Sequence, residues 1–180
     1  MRILGIDPGL LRTGYGVIEA LGNGVSLREG GTLQGGPPSI AIEERLASLY
    51  RGLEEVLAEH QPQALALEEL YSHYAHPTTA VIMGHARGVI CLAAAHKGVP
   101  VFSYAATQVK HSLVGSGRAT KAQVQRAIQA RLSLAQLPEP NDVADALALA
   151  LCHWQVSKVA GMTSEALARI QQRSHSRGGR

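Results

Sequence analysis

The sequence predicts a single domain of the α/β class, and three observations lead there. The expected elements run β-β-β-α-β-α-β-α-α, mixing strands and helices along the chain. Its 180 residues are enough for one hydrophobic core and too few for several. Hydrophobic residues make up 46% and charged residues 17%, a globular balance, while an aromatic share of 4% leaves aliphatic side chains to fill the interior. No run approaches the ~18 consecutive apolar residues of a membrane span, and Asp7 and Pro8 interrupt the opening apolar stretch before it could serve as a signal segment. A cytoplasmic protein without a membrane contact is therefore expected. Cys91 and Cys152 lie in apolar surroundings with no C-x-x-C or Cys/His ligand spacing, so both read as reduced core thiols.

Arg2 to Asp7 reads as a short buried strand ending in Asp7-Pro8-Gly9. Gly14 to Leu21 and Val25 to Gln34 flank Gly22-Asn23-Gly24, a strong hairpin signal, so the opening is a three-stranded meander. Gly35-Gly36-Pro37-Pro38 breaks it and Ser39 is a candidate cap. Ile42, Leu46, Leu49, Leu53, Val56 and Leu57 then recur at helical spacing up to His60. Ala64 to Leu67 is a brief apolar strand ending at Glu68-Glu69. After a loop rich in Tyr and His, Thr79 to His96 reads as a largely apolar helix, and Val99 to Tyr104 as a fifth strand. Ala106 to Val114 and Thr120 to Leu134 are expected helices on either side of a Gly115-Ser116-Gly117 break, and Pro138-Glu139-Pro140 ends the second. Residues 142–155 are ambiguous, because Leu and Ala alternate with a period of two. They are assigned to a helix: alanine is the strongest helix former, Asn141 is a good N-cap, and acids suit a first turn. The domain is expected over residues 1–155, with 156–180 a basic, flexible tail.

Charge is distributed unevenly. Residues 1–69 carry ten acids and five bases, whereas residues 70–138 carry no acid against Arg87, Lys97, Lys110, Arg118, Lys121, Arg126 and Arg131. An acid-free block within foldable sequence repels itself unless a polyanion neutralises it, which points to nucleic acid as partner. The acids carry their own signal: of fourteen, only Asp7, Asp142 and Asp145 are aspartate. Aspartate is a poor residue for a helix interior and is favoured at caps, turns, metal sites and catalytic centres.

Asp7 closes the first strand, Glu68 or Glu69 closes the fourth, and Asp142 and Asp145 lie three apart on one face at the start of the last helix. The first and fourth strands, both hydrophobic, are expected side by side at the sheet centre. Carboxylates converging there repel one another unless a cation neutralises them, and Mg²⁺ or Mn²⁺, two ions per site, suits hydrolysis of a phosphodiester. A nuclease is the chemistry this pattern predicts. Each piece also has a plainer reading: Asp7-Pro8-Gly9 is a common turn, Asp142 an N-terminal helix charge and Asp145 a capping partner of Asn141. Glu68 and Glu69 face opposite sides of an extended strand, so at most one joins the cluster, and alternation does not say which.

These elements resemble the RuvC family of Holliday-junction resolvases, within the ribonuclease H-like superfamily. The resemblance rests on Arg2-Ile3-Leu4-Gly5-Ile6-Asp7-Pro8-Gly9, Leu67-Glu68-Glu69-Leu70-Tyr71, Ala86-Arg87-Gly88-Val89, the stretch from Pro100 to Lys110, and Asp142-Val143-Ala144-Asp145-Ala146-Leu147-Ala148. It implies a mixed sheet of five strands, the first three antiparallel, flanked by helices. It also implies that Asp7, Glu68, Asp142 and Asp145 are the metal-binding, catalytic carboxylates, which selects Glu68 over Glu69. Tyr71 takes the place of an aromatic residue that stacks on an opened base; many members have Phe there, and the hydroxyl leaves stacking intact. Lys110 and Lys121 resemble the family's DNA-contacting lysines, and Arg118 is added as their neighbour. The implied reaction cuts two opposed strands of a four-way DNA junction, leaving 5′-phosphate and 3′-hydroxyl ends, beside a branch-migration complex of the RuvA and RuvB type. A twofold substrate calls for a homodimer, and the apolar helix from Thr79 to His96, with Ile82, Met83, Val89 and Ile90, either offers a face to bury between subunits or is an internal core helix; the sequence does not choose.

Two other functions fit parts of the pattern. Asp7, Gly9 and Thr13 are similar to the phosphate loop of the sugar-kinase and actin-like ATPase group, but that architecture closes two such domains around a nucleotide and this chain supplies one. A non-catalytic DNA-binding module explains the basic block and leaves the four carboxylates unexplained.

Overall fold

A computed structural model of the chain describes residues 1–69 and 77–159. Strands β1 (Arg2–Asp7), β2 (Arg12–Leu21) and β3 (Gly24–Gln34) form the expected meander. The hairpin closes at Leu21↔Gly24 over the two-residue turn Gly22-Asn23, with φ +58° at Gly22, the backbone that a II′ turn asks of its first central residue. Helix α1 (Ile42–His60) follows, then β4 (Ala64–Glu68), α2 (Pro77–His96), β5 (Val101–Tyr104), α3 (Ala106–Val114), α4 (Lys121–Leu132) and α5 (Asn141–Val159). The sheet order is β3-β2-β1-β4-β5; β1 runs antiparallel to β2 and parallel to β4, and β4 runs parallel to β5. The first and fourth strands are thus neighbours, with β1 central.

The helix ends depart from expectation in detail. Ser39 does not cap α1: the preceding residue is Ala41, without a side-chain cap bond, and Glu43 and Glu44 in the first turn meet the positive end of the dipole instead. Asn141 is the first residue of α5 rather than its cap, and its Oδ1 accepts from Gln125 Nε2 at 3.2 Å while the Pro140 carbonyl accepts from the Val143 and Ala144 amides. Thr120 makes a full capping box with Gln123 at the start of α4. Helix α5 continues beyond residue 155 to Val159, because Val156 still packs on the core and Ser157 is buried, its hydroxyl donating to the Trp154 carbonyl at 2.8 Å.

Two cores lie on the two faces of the sheet. Helices α1 and α2 cover one face, on which Leu4, Ile6, Val17, Leu65 and Leu67 are buried; α3, α4 and α5 cover the other, on which Ile3, Ile18, Ala64, Ala66, Phe102 and Tyr104 are buried. Among the described residues α2 is the one helix long and apolar enough to cross a membrane, with a mean hydropathy of 1.4 over Thr78–His96. Its inner side nonetheless belongs to the protein core, where Ala86, Ile90, Ala93 and Ala94 are fully buried. Ile90 is therefore unavailable as the outward-facing residue anticipated above. Val81 and Leu92 are the large exposed apolar side chains of this helix.

Helix α5 is buried nearly all round from Val143 to His153, which is why its sequence lacks a helical stripe. It lies unusually close to the strands beneath. A Cβ built on Gly5 would sit 1.9 Å from the Ala146 carbonyl oxygen, and one on Gly14 2.0 Å from that of Asp142. Both contacts are with backbone, so neither can be relieved by a rotamer change. Gly5→Ala and Gly14→Ala are each expected to lower the melting temperature of the metal-free protein by at least ~6 °C, roughly 3 kcal/mol for a domain this size. Gly24→Ala, whose added methyl would meet only the Leu21 carbonyl at 3.7 Å, is expected to stay within ~2 °C of the parent by differential scanning calorimetry.

Candidate active site

Strand alternation decides which acidic side chains meet. Along β1, Leu4 and Ile6 point to the α1 side, so Ile3, Gly5 and Asp7 point to the α5 side; along β4, Leu65 and Leu67 point to the α1 side and Ala64, Ala66 and Glu68 to the α5 side. The parallel register Gly5↔Ala66 and Ile6↔Leu67 sets Asp7 beside Glu68 at the carboxyl ends of both strands. On the other side, Asp7 pairs with Gly14, and Asp142 lies directly over Gly14 because there is no side chain there to hold it off. Asp145 follows one turn later on α5, and Glu69 is exposed and outside the group. The residues on which the sequence reading converged thus come together from three elements.

Their electrostatics record the crowding. Burial, followed by the charges of Glu68, Asp145 and Asp142, pushes the Asp7 carboxyl up from 3.8 to about 7. The Glu68 carboxyl is also pushed up, first by burial and then by Asp145, against the lowering pull of Lys121, Lys110 and Arg87. Basic side chains stand at the outer carboxylates: Lys121 Nζ lies 3.5 Å from Asp145 Oδ2, and Arg12 Nε lies 3.0 Å from Asp142 Oδ2. Beside them opens a cavity of about 280 Å³ between β4, α3, α4 and α5, with Glu68 and Asp145 at its acidic end, Lys110 and Lys121 on two of its walls, and Val109, Val124 and Leu149 behind.

Of the remaining predicted residues, Arg118 is exposed in the α3–α4 connection, away from the cavity lining, with its amide on the Ser116 hydroxyl. Tyr71 lies outside the described residues. Arg12 and Arg87 were not singled out as site residues. A sequence signal for Arg12 is its position at the start of the strand that pairs with Asp7; for Arg87 it is a lone charge in a long apolar helix. A second acidic group, Glu29, Glu59 and His60, has ligand atoms all within 4.8 Å of one another, but it lies on the α1 side, tied to Tyr15, and apart from this cluster. Behind the site, the Tyr104 hydroxyl meets His153 Nδ1 at 2.6 Å, and burial pushes the His153 imidazole down to about 4, keeping it neutral. This bond and the 4.3 Å contact of His153 with Phe102 pin α5 to β5.

The loop after β1 bears on the phosphate-loop alternative. Thr13 is fully buried; its hydroxyl donates to the Gly9 carbonyl at 2.6 Å and accepts from the Gly9 amide at 3.3 Å. That hydroxyl closes a turn, and its one donor, which a phosphate oxygen would need, is already given to the Gly9 carbonyl. The four carboxylates, by contrast, offer hard oxygen donors at a place where anions are mutually repelled, and this donor set fits Mg²⁺ or Mn²⁺.

Comparison with known proteins places the chain in a family. The family described as "Crossover junction endodeoxyribonuclease RuvC" matches residues 3–153. A protein of that name from Rhodopirellula baltica is 53% identical over 150 residues, covering 83% of this chain and 84% of its own, and one from Pelotomaculum thermopropionicum is 47% identical over 156 residues, covering 85% and 92%. The structure of Thermus thermophilus RuvC in complex with a Holliday junction substrate superposes with a TM-score of 0.84 at 35% identity, covering 89% of this chain and 96% of that one. With a family match over residues 3–153 and relatives at 47–53% identity over most of their length, the chain belongs to the RuvC family of crossover junction endodeoxyribonucleases.

Proposed function

We propose that this protein resolves four-way DNA junctions by hydrolysing one phosphodiester in each of two opposed strands, with Asp7, Glu68, Asp142 and Asp145 holding two Mg²⁺ or Mn²⁺ ions per site. The observation that carries the reading is Asp7, half-buried at the carboxyl end of the central strand beside Glu68, with Asp142 and Asp145 facing it and its carboxyl pushed up to about 7. When bound, the ions supply an acidified water and neutralise charge on the phosphate. The protein's own part is positional. Asp7 and Glu68 are carried by strand ends, and Asp142 and Asp145 by one helix, so the backbone that presents them is in place before substrate arrives. Lys110 and Lys121 present cations from two walls of the cavity to phosphates entering beside Glu68 and Asp145, and Tyr71 is assigned the stacking of an opened base at the crossover.

Twofold cleavage calls for two sites. A homodimer is proposed, with the apolar outer side of α2, including Val81 and Leu92, as the surface available for burial. The products carry 5′-phosphate and 3′-hydroxyl ends, the reaction takes place in the cytoplasm, and a branch-migration complex of the RuvA and RuvB type holds the junction. Of the basic tail expected over residues 156–180, residues 156–159 belong to α5 and residues 160–180 lie outside the described residues.

Asp7→Asn keeps size and shape and removes the charge. It is expected to cut a synthetic mobile four-way junction at least ~100-fold more slowly at saturating Mg²⁺ or Mn²⁺ while shifting the junction normally in a gel. Near-normal cutting by folded Asp7→Asn would falsify the assigned site, since Asn is a favoured residue in an Asp-Pro-Gly type of turn.

The raised Asp7 carboxyl also predicts a sign. Its folded value, about 7, lies above the 3.8 of an unperturbed aspartate, so the folded state binds the proton more tightly. The associated stability is complete below about pH 4 and is lost as pH rises toward 7. Metal-free protein should therefore lose melting temperature between pH 5 and pH 8, and Asp7→Asn should flatten that loss. An identical decline in both proteins would remove this explanation.

Lys110→Ala and Lys121→Ala are each expected to weaken junction binding and to reduce the slope of log K against log salt by about 0.9, the share of one phosphate contact. Unchanged slopes in both would move the DNA face elsewhere.

A further inference from the structure

The motif Ala86-Arg87-Gly88 has no part in the chemistry above, yet Arg87 is bonded to the strand that ends in Glu68. Helix α2 lies on the sheet face opposite the carboxylates, with Ala86 and Ile90 buried against it. From that side the Arg87 guanidinium reaches the carboxyl end of the parallel ladder. Nη1 donates to the Glu68 carbonyl oxygen, and Nη2 donates to Ser103 Oγ at 2.5 Å. The two acceptors belong to neighbouring strands, since Leu67 pairs with Ser103 and Glu68 with Tyr104. Immediately beyond, the Glu69 amide donates to the Tyr104 carbonyl at 3.0 Å, and there the chain leaves the sheet.

We propose that Arg87 is the positioning residue for Glu68, its guanidinium bridging the ends of β4 and β5 from behind so that the Glu68 carboxylate stays turned toward Asp7 and Asp145. A terminal strand residue frays easily, and a small rotation of the Glu68 backbone would carry its carboxylate away from the group. Arginine suits the task because its planar fork donates in two directions at once; a lysine ammonium is a compact point charge on a flexible stem and does not reproduce that bridge. The role needs no contact with DNA or with the reacting atoms. It rests on the carboxylate site proposed above, and the controls separate the two.

The test is Mn²⁺ titration by calorimetry on the full chain without DNA, with folding checked by circular dichroism and junction binding by gel shift. Glu68→Gln tests the site itself and should bind Mn²⁺ at least ~10-fold more weakly than the parent. Arg87→Ala and Arg87→Lys are both expected to weaken Mn²⁺ binding by ~10-fold or more, as loss of an outer partner of a ligand does, while folding normally. Ser103→Ala, which removes one end of the bridge, should give a smaller loss in the same direction. Parent-like Mn²⁺ affinity in folded Arg87→Ala, alongside a weakened Glu68→Gln, would overturn the positioning role and leave the site intact. Full rescue by Arg87→Lys would replace the bridge with charge alone and also overturn it. Loss of fold in both arginine variants would make Arg87 a stability element and reject the proposal. Parent-like affinity in Glu68→Gln would remove the site, and the proposal with it.

Discussion

The architecture depends on how closely helix α5 approaches the central strands. Gly5 and Gly14 lack the Cβ atoms that would otherwise strike the Ala146 and Asp142 carbonyl oxygens at about 2 Å, so backbone packs on backbone. That approach is what lowers Asp142 onto the strand position paired with Asp7. A helix held further from the sheet would carry its first-turn carboxylates away from the strand ends. Position and packing are therefore the same fact here: the glycines that let the core close also assemble the acidic group.

Such assembly carries a cost in stability. Clustered carboxylates at the end of buried strands oppose folding, as the raised values of Asp7 and Glu68 record. The fold offsets this with basic side chains around the rim and with neutral contacts beneath. Arg12 and Lys121 stand against Asp142 and Asp145, while Tyr104, His153 and Phe102 tie α5 to β5 without adding charge. His153 suits the buried position because it stays neutral there, so the layer under the site does not respond to pH near neutrality.

Much of this was legible in the chain. Strong local signals placed the meander, the Gly22-Asn23 turn and helices α1, α3 and α4 within a few residues of their observed bounds. The scarcity of aspartate marked Asp7, Asp142 and Asp145 before any resemblance was drawn. What escaped was what depends on contacts distant in sequence. The choice between Glu68 and Glu69 needed the other residues on the same face: Ala64 and Ala66 share the α5 side with Glu68, and those small side chains are the trace of a close helix. The alternation of Leu and Ala in α5 looked ambiguous for the same reason, since a helix buried on all sides has no polar face to set its period. Arg12 and Arg87 escaped because their partners, Asp142 and the Glu68 carbonyl, are far along the chain.

The pairing of Lys121 with Asp145 has a thermodynamic consequence. The Lys121 ammonium stands 3.5 Å from the Asp145 carboxylate, and under the proposed function a substrate phosphate would compete for it. A cation that occupies the carboxylate frees the lysine for the phosphate, and a phosphate that draws the lysine away exposes the carboxylate to the cation. Affinities coupled in this way are reciprocal, each ligand raising the other's by the same factor. If the proposed roles of Asp145 and Lys121 hold, this one side chain would couple metal binding to substrate binding, so that each would favour the other.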